Sequence, residues 1–201
     1  MSKTLALCLF AVLGSAACTH QVRPNPAPMS AQAAPLPLRA RYFIAPEQKE
    51  RIDSDSYFAL GYAHTWNIQI GDALGRSFPQ MLGTVFQSVQ EASSPEDIAD
   101  ADVLIIPEIQ NFDVSGGSFV SKLTLDVRAK GSDGVVRLRE EFLGAPREGK
   151  GGTAWTSGAF GGETALQRSA EFAFEDVMPK VAQKLREVFS ATTAKSGVSS
   201  R

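Results

Sequence analysis

The stretch "SFVSKLTLDVRA", ending at Ala129, constrains this chain more than any other. Phe119, Ser121, Leu123, Leu125, Val127 and Ala129 fall on one side. Val120, Lys122, Thr124, Asp126 and Arg128 fall on the other. Strict period two with one wet face is the pattern of an antiparallel strand covered on a single side. Asp133-Gly134 then supplies a turn, and "VVRLREEFL" returns with Val136, Leu138 and Phe142 opposed to Arg137, Arg139 and Glu141. The two runs predict a hairpin. Upstream, Val103 to Ile106 reads as a central strand that Pro107 interrupts, so a bulge or an edge is expected there, and "SGG" turns it into the next strand. "RARYFIAP" reads as an earlier strand.

Two segments carry helical spacing instead. From Asp72, Leu74, Phe78, Met81, Leu82, Val85 and Phe86 recur by three and four, with Pro79 expected to kink the helix or restart it. In "ETALQRSAEFAFEDVMPKVAQKLREVF", Leu166, Ala170, Phe174, Val177 or Met178, Val181, Leu185 and Val188 form one stripe, with Pro179 inside it. The order predicts an α+β domain over residues 38–193. Its core would be a twisted, mainly antiparallel sheet, a three-strand meander plus an N-terminal strand, with two helices packed on one face. Residues 194–201 read as a disordered tail.

The N-terminus sets the compartment. Lys3, an apolar run to Leu13 and the small residues Gly14 to Ala17 have the order of a secretory signal peptide, too short to span a bilayer. Ser15 and Ala17 suit an ordinary signal peptidase. Ser15-Ala16-Ala17-Cys18 also resembles the bacterial lipobox, with serine where leucine is usual. The chain holds two cysteines, Cys8 and Cys18, and Cys8 lies in the removable part. A lone thiol at the first mature position has no internal disulfide partner, so a thioether-linked lipid on Cys18 accounts for both its number and its place. Residues 18–37, rich in Pro24, Pro26, Pro28, Pro35 and Pro37, read as a disordered tether of on the order of 60 Å.

Little chemistry accompanies this frame. With 43% hydrophobic and 21% charged residues and a net charge of −2, the composition is that of an ordinary globular protein, and no basic run suggests a nucleic acid. Gly144, Gly149 and Lys150 approach the spacing of a phosphate-binding loop, but Gly151 stands where a hydroxyl is required. His20 falls in the tether and His64 in a loop, so no spaced ligand set for a metal is seen. Glu140 and Glu141 point to opposite faces of a strand and cannot share a substrate. No catalytic residue, metal or cofactor is predicted. The long connection Gly149 to Glu163 presents Trp155 and Phe160 among glycines, a composition suited to partner contact.

Cys18, "ADVLIIPEI", "SDGVVRLREEF" and "ETALQRSAEFAFEDVMPKVAQKL" together resemble, in layout, the small periplasm-facing lipoproteins of Gram-negative bacteria. That group includes the lipopolysaccharide-assembly lipoprotein, auxiliary lipoproteins of ABC transporters and activator lipoproteins of penicillin-binding proteins. The resemblance implies lipid attachment at Cys18 and a non-enzymatic protein of the outer membrane, on its periplasmic face. Such a protein would serve as an assembly or transport accessory by binding another envelope protein, using the glycine-rich loop and a sheet edge. The alternative is a binder or carrier of a lipid or small apolar ligand.

Overall fold

The structure, a computed structural model, describes residues 18–56, 64–115, 119–144 and 159–196. The eight strands among these residues are β1 (Cys18–Val22), β2 (Leu36–Tyr42), β3 (Asp53–Asp55), β4 (His64–Ile68), β5 (Phe86–Glu91), β6 (Val103–Ser115), β7 (Val120–Gly131) and β8 (Val136–Gly144). The helices among them are α1 (Pro46–Lys49), α2 (Ile70–Val85) and α3 (Ala159–Ser196). This is an α+β fold, with mixed sheets rather than purely antiparallel ones. Five strands form the order β5-β2-β6-β7-β8 and three the order β1-β4-β3. The meander β6-β7-β8 is antiparallel as expected, whereas β2 runs parallel to both β5 and β6, and β1 parallel to β4.

The periodicities place the core. Leu123, Leu125, Val127 and Ala129 of β7 are wholly buried, as are Leu166, Ala170, Phe174, Val177, Val181 and Leu185 of α3, all in one cluster with Leu74, Phe78 and Leu82 of α2. Pro79 and Pro179 are both accommodated inside continuous helices. A smaller cluster of Ala92, Leu104 and Ile106, joined by Phe43 and Ile98, covers part of the opposite face of the large sheet. Helix α2 stops one residue earlier than its apolar spacing suggests: Phe86 is extended and opens β5 without a connecting residue.

Pro107 sits where its missing N–H costs least. The alternation of β6 turns Val103, Ile105, Pro107 and Ile109 toward β2, but β2 ends at Tyr42, opposite Ile105. Phe43 donates its N–H to the Ile105 carbonyl at 3.0 Å, and beyond that no strand pairs with this side of β6 among the described residues. Side chains take over. The Ile109 N–H donates to Gln48 Oε1 at 2.9 Å, and the Arg51 guanidinium donates to the carbonyls of Ile109 and Gln110. A bulge between Ile109 and Asn111 follows directly. The sequence expectation of an edge or a bulge near Pro107 is met by both at once.

Residues 18–37 depart from the expected tether: they pair and pack with the part of the chain expected to fold from Leu38 onward. Cys18 to Val22 pair with His64 to Ile68, so His64 opens a strand rather than sitting in a loop. His20 stacks on the buried Trp66 ring with centroids 4.2 Å apart. Residues 23–35 then run as a strap along α2 and α3. Burial alternates, with Val22, Pro24 and Pro26 closed to solvent and Gln21, Arg23, Asn25 and Ala27 open to it. Prolines supply the buried apolar surface here, and that is why no ordinary apolar period marks the segment. At the other end of the chain α3 runs to Ser196, into the stretch expected to be a tail.

Two glycines of α2 make opposite predictions. A Cβ at Gly71 would collide with main-chain atoms of Gln48, Lys49 and Arg51, whereas one at Gly75 meets nothing. Gly71→Ala should therefore destabilise the domain by about 1–3 kcal/mol. Gly75→Ala should stabilise it by about 1 kcal/mol through helix propensity. Urea unfolding of the two variants beside the parent measures both signs.

Candidate functional site

Two regions combine accessible chemistry with a defined geometry: the outer edge of β8 and the strap that leads from Cys18. The edge is built by the hairpin. Gly131 donates its N–H to the Val135 carbonyl at 2.9 Å, and Gly134, at φ +76°, makes the turn that the glycine after Asp133 predicts. From that bond the alternation turns Leu138, Glu140, Phe142 and Gly144 toward β7. The main-chain groups of Arg139, Glu141 and Leu143 then face outward. Lys180 confirms the direction by donating to the Leu143 carbonyl at 2.8 Å. No strand pairs with this edge among the described residues.

A groove of about 390 Å³ runs between this edge and α3. Lys180, Gln183, Lys184 and Glu187 form its helical wall. Lys184 pairs with Glu140 at 3.1 Å, and Lys180 with Asp176 at 2.6 Å. Glu140 and Glu141 lie on opposite faces, as the strand pattern requires. Leu143, half exposed at 53%, adds an apolar contact at the end of the edge. Gly144 lets α3 close on that end, since a Cβ there would strike the Ala173 carbonyl. The arrangement offers an added strand both main-chain partners and a charged wall.

The strap is held by a matched spacing. The Asn25 N–H donates to Glu171 Oε1 at 3.0 Å and the Ala27 N–H to Glu175 Oε1 at 3.1 Å. Glu171 and Glu175 are one turn apart, about 6 Å along the helix, and alternate residues of an extended proline-rich chain are also about 6 Å apart. The prolines fall at the positions between, where no donor is needed. Arg76 donates to the Pro24 carbonyl at 2.6 Å, and Arg186 to those of Ala34 at 2.9 Å and Ala33 at 3.2 Å. Arg168 bridges Glu171 and Glu175 at 2.9 and 3.1 Å. Its hydrogen bond to Glu171 raises its pKa above the ordinary arginine value, against an opposing contribution from partial burial.

The residues singled out in the sequence are not all gathered here. Cys18 begins β1, opposite His64. Phe160 lies in the first turn of α3 instead of a loop; its side chain, and Trp155 altogether, lie outside the described residues. Among the described residues no three His, Cys, Asp or Glu side chains come together to hold a metal ion, and no helix is long and apolar enough to cross a membrane. Sequence reasoning missed Glu171 and Glu175. The signal was present as Pro24-Asn25-Pro26-Ala27-Pro28 set against two glutamates four residues apart on the helix.

Known proteins offer a likeness of fold. No family model matches the chain, and no curated protein does. Among solved structures, protein XCC0632 from Xanthomonas campestris, of the family model DUF330, superposes with a TM-score of 0.56 at 14% identity. The match covers 87% of this chain and 98% of that one. The hypothetical protein CT253 from Chlamydia trachomatis matches more loosely, with a TM-score of 0.39 at 14% identity over 72% and 96% of the two chains. At such identities the first likeness shows a shared fold, and the second carries no argument.

Glu171 is nearly closed to solvent and accepts from Asn25, Gln167 and Arg168. Glu171→Ala should cost about 1.5–3 kcal/mol, the range of hydrogen bonds to a charged group. It should also speed amide exchange at Asn25. Glu171→Gln, which keeps an acceptor, should lose less; hydrogen-exchange mass spectrometry with thermal melts compares them.

Proposed function

We propose that this chain is a lipid-anchored protein of the bacterial outer membrane, facing the periplasm, which binds another envelope protein and performs no catalysis itself. The lipid belongs on Cys18. Ser15-Ala16-Ala17-Cys18 supports this, as does the lone cysteine left after cleavage. The observation that carries the binding role is the β8 edge. Outward main-chain groups at Arg139, Glu141 and Leu143 lie beside a groove walled by α3, and this suits an extended strand from a partner. The core argues against the carrier reading. Among the described residues its large side chains are closed to solvent, the cleft under the strap measures about 200 Å³, and the larger groove of about 390 Å³ at β8 is walled by charged side chains of α3 instead of apolar ones.

Both halves of the reading have a direct test. Intact mass of protein extracted from membranes should show a chain that begins at Cys18 and carries acyl groups, and Cys18→Ser should lose them and become soluble. For the partner, a photo-crosslinker placed at Leu143 in the native envelope should give one discrete adduct. Glu141→Pro removes an outward donor and no bond of the β7 ladder, so it should abolish that adduct while leaving the melt unchanged within about 1 kcal/mol. An adduct that survives Glu141→Pro would sink the strand-addition reading.

A further inference from the structure

We propose that, until a partner strand arrives, the β8 edge is closed by the β8 edge of a second copy of this chain, paired antiparallel about a two-fold axis at Glu140. The inference rests on reading that edge as a strand acceptor, and it adds what regulates access to it. The charge pattern of the edge strand carries it. Arg139 stands opposite Arg128 of β7, and Glu141 opposite Asp126. Like charges directly opposite are unfavourable in a sheet. Arg128 turns instead to Glu108 at 3.3 Å and Asp126 at 3.7 Å. Arg139 and Glu141 are both exposed, and among the described residues neither side chain has an ion pair or hydrogen bond. The edge is also clear of the start of α3. From Gly144, against Ala173, it runs back toward Val136 beside the helix from Lys180 to Glu187, away from Ala159.

A two-fold axis matches these two charges to each other. The outward main-chain groups belong to Arg139, Glu141 and Leu143, so they exchange hydrogen bonds with the odd-numbered residues of another β8. With the axis at Glu140, Arg139 meets Glu141 of the second copy and Glu141 meets its Arg139, on the sheet face away from α3. The row across the pair then reads Arg128, Arg139, Glu141, Asp126. An axis at Arg139 or at Glu141 would set that residue against its own copy, so charge selects the register. On the other face each Glu140 brings its own Lys184, at 3.1 Å, to the axis. Lys180 lies at Leu143 and Lys184 at Glu140, so Glu187, a turn further along α3, lies toward Val136. The same axis therefore carries Lys180 toward Glu187 of the second copy, and the groove wall is self-complementary too. An open strand edge is a template for uncontrolled pairing. A two-fold contact uses the same patch on both copies, so this closure stops at two.

The test is the mass of the mature Cys18→Ser chain, purified in mild detergent without other envelope proteins, by light scattering on a sizing column. This parent should have the mass of two copies. Arg139→Glu and Glu141→Arg, each alone, set like charges across the axis and should weaken the pair about tenfold or more. An equimolar mixture of the two variants restores both matches, so it should return to two copies. A cysteine introduced at the axis as Glu140→Cys should form a disulfide with its own copy, since residues there are a close, non-hydrogen-bonded pair. The same cysteine should stay reduced in an Arg139→Glu chain. Circular dichroism checks that each variant keeps its fold. A parent of one copy would overturn the inference, and so would a pair unmoved by either variant or not restored by mixing. The edge reading fails by a different measure, an envelope adduct at Leu143 that survives Glu141→Pro, so the two failures are told apart.

Discussion

Leu123, Leu125, Val127 and Ala129 of β7 lie wholly buried, and so do the apolar residues of α3 that pack on this strand. This contact orients everything attached to either element. Because α3 is committed to β7 along one stripe, its remaining flanks are committed too. One meets β8, where Gly144 admits the helix against the strand end; another meets α2 and the strap. Burial of apolar side chains at about 25 cal/mol per Å² is the dominant stabilising contribution to such a contact. The hydrogen bonds around it, each of order 1 kcal/mol net, mainly select which neighbour lies where.

That division explains how much could be read beforehand. The meander and α3 were legible because their apolar residues recur with periods of two and of three to four, and a one-residue slip in β7 would expose Leu123 to Ala129 together. The α+β class follows from those elements alone. Strands β1, β3 and β4 were not legible. They span five, three and five residues, too few for a period to stand out, and their pairing depends on contacts distant in the chain. β5 was hidden differently: Phe86 continues the apolar spacing of α2, and only the extended backbone at that residue ends the helix.

The strap shows where composition misleads. Proline-rich stretches stay disordered when they have no apolar surface to bury and no partner for their carbonyls. Here Pro24 and Pro26 are themselves buried, and Arg76 and Arg186 supply donors to the carbonyls that prolines leave without a sheet. Recognising this from sequence would require knowing that α3 passes within reach, which is a tertiary fact. The candidate edge was half legible. Strand addition at a sheet edge is a general expectation for a meander, but the groove wall is made of Lys180, Gln183, Lys184 and Glu187. In a sequence such residues read as the solvated face of a helix.

Strap and edge are thereby carried by one helix without competing for it. Glu171 and Glu175, which hold the strap, and Lys180 and Lys184, which border the β8 groove, are separated by at least about 140° around α3 at 3.6 residues per turn. The apolar stripe lies between the two flanks and is filled by the sheet. A ligand seated along β8 would therefore leave the contacts of the strap untouched, and release of the strap would leave the edge intact. The strap and the β8 edge are nevertheless fixed with respect to each other through α3: the main chain at Asn25 and Ala27 is held on one flank by Glu171 and Glu175, and that at Leu143 on the other by Lys180.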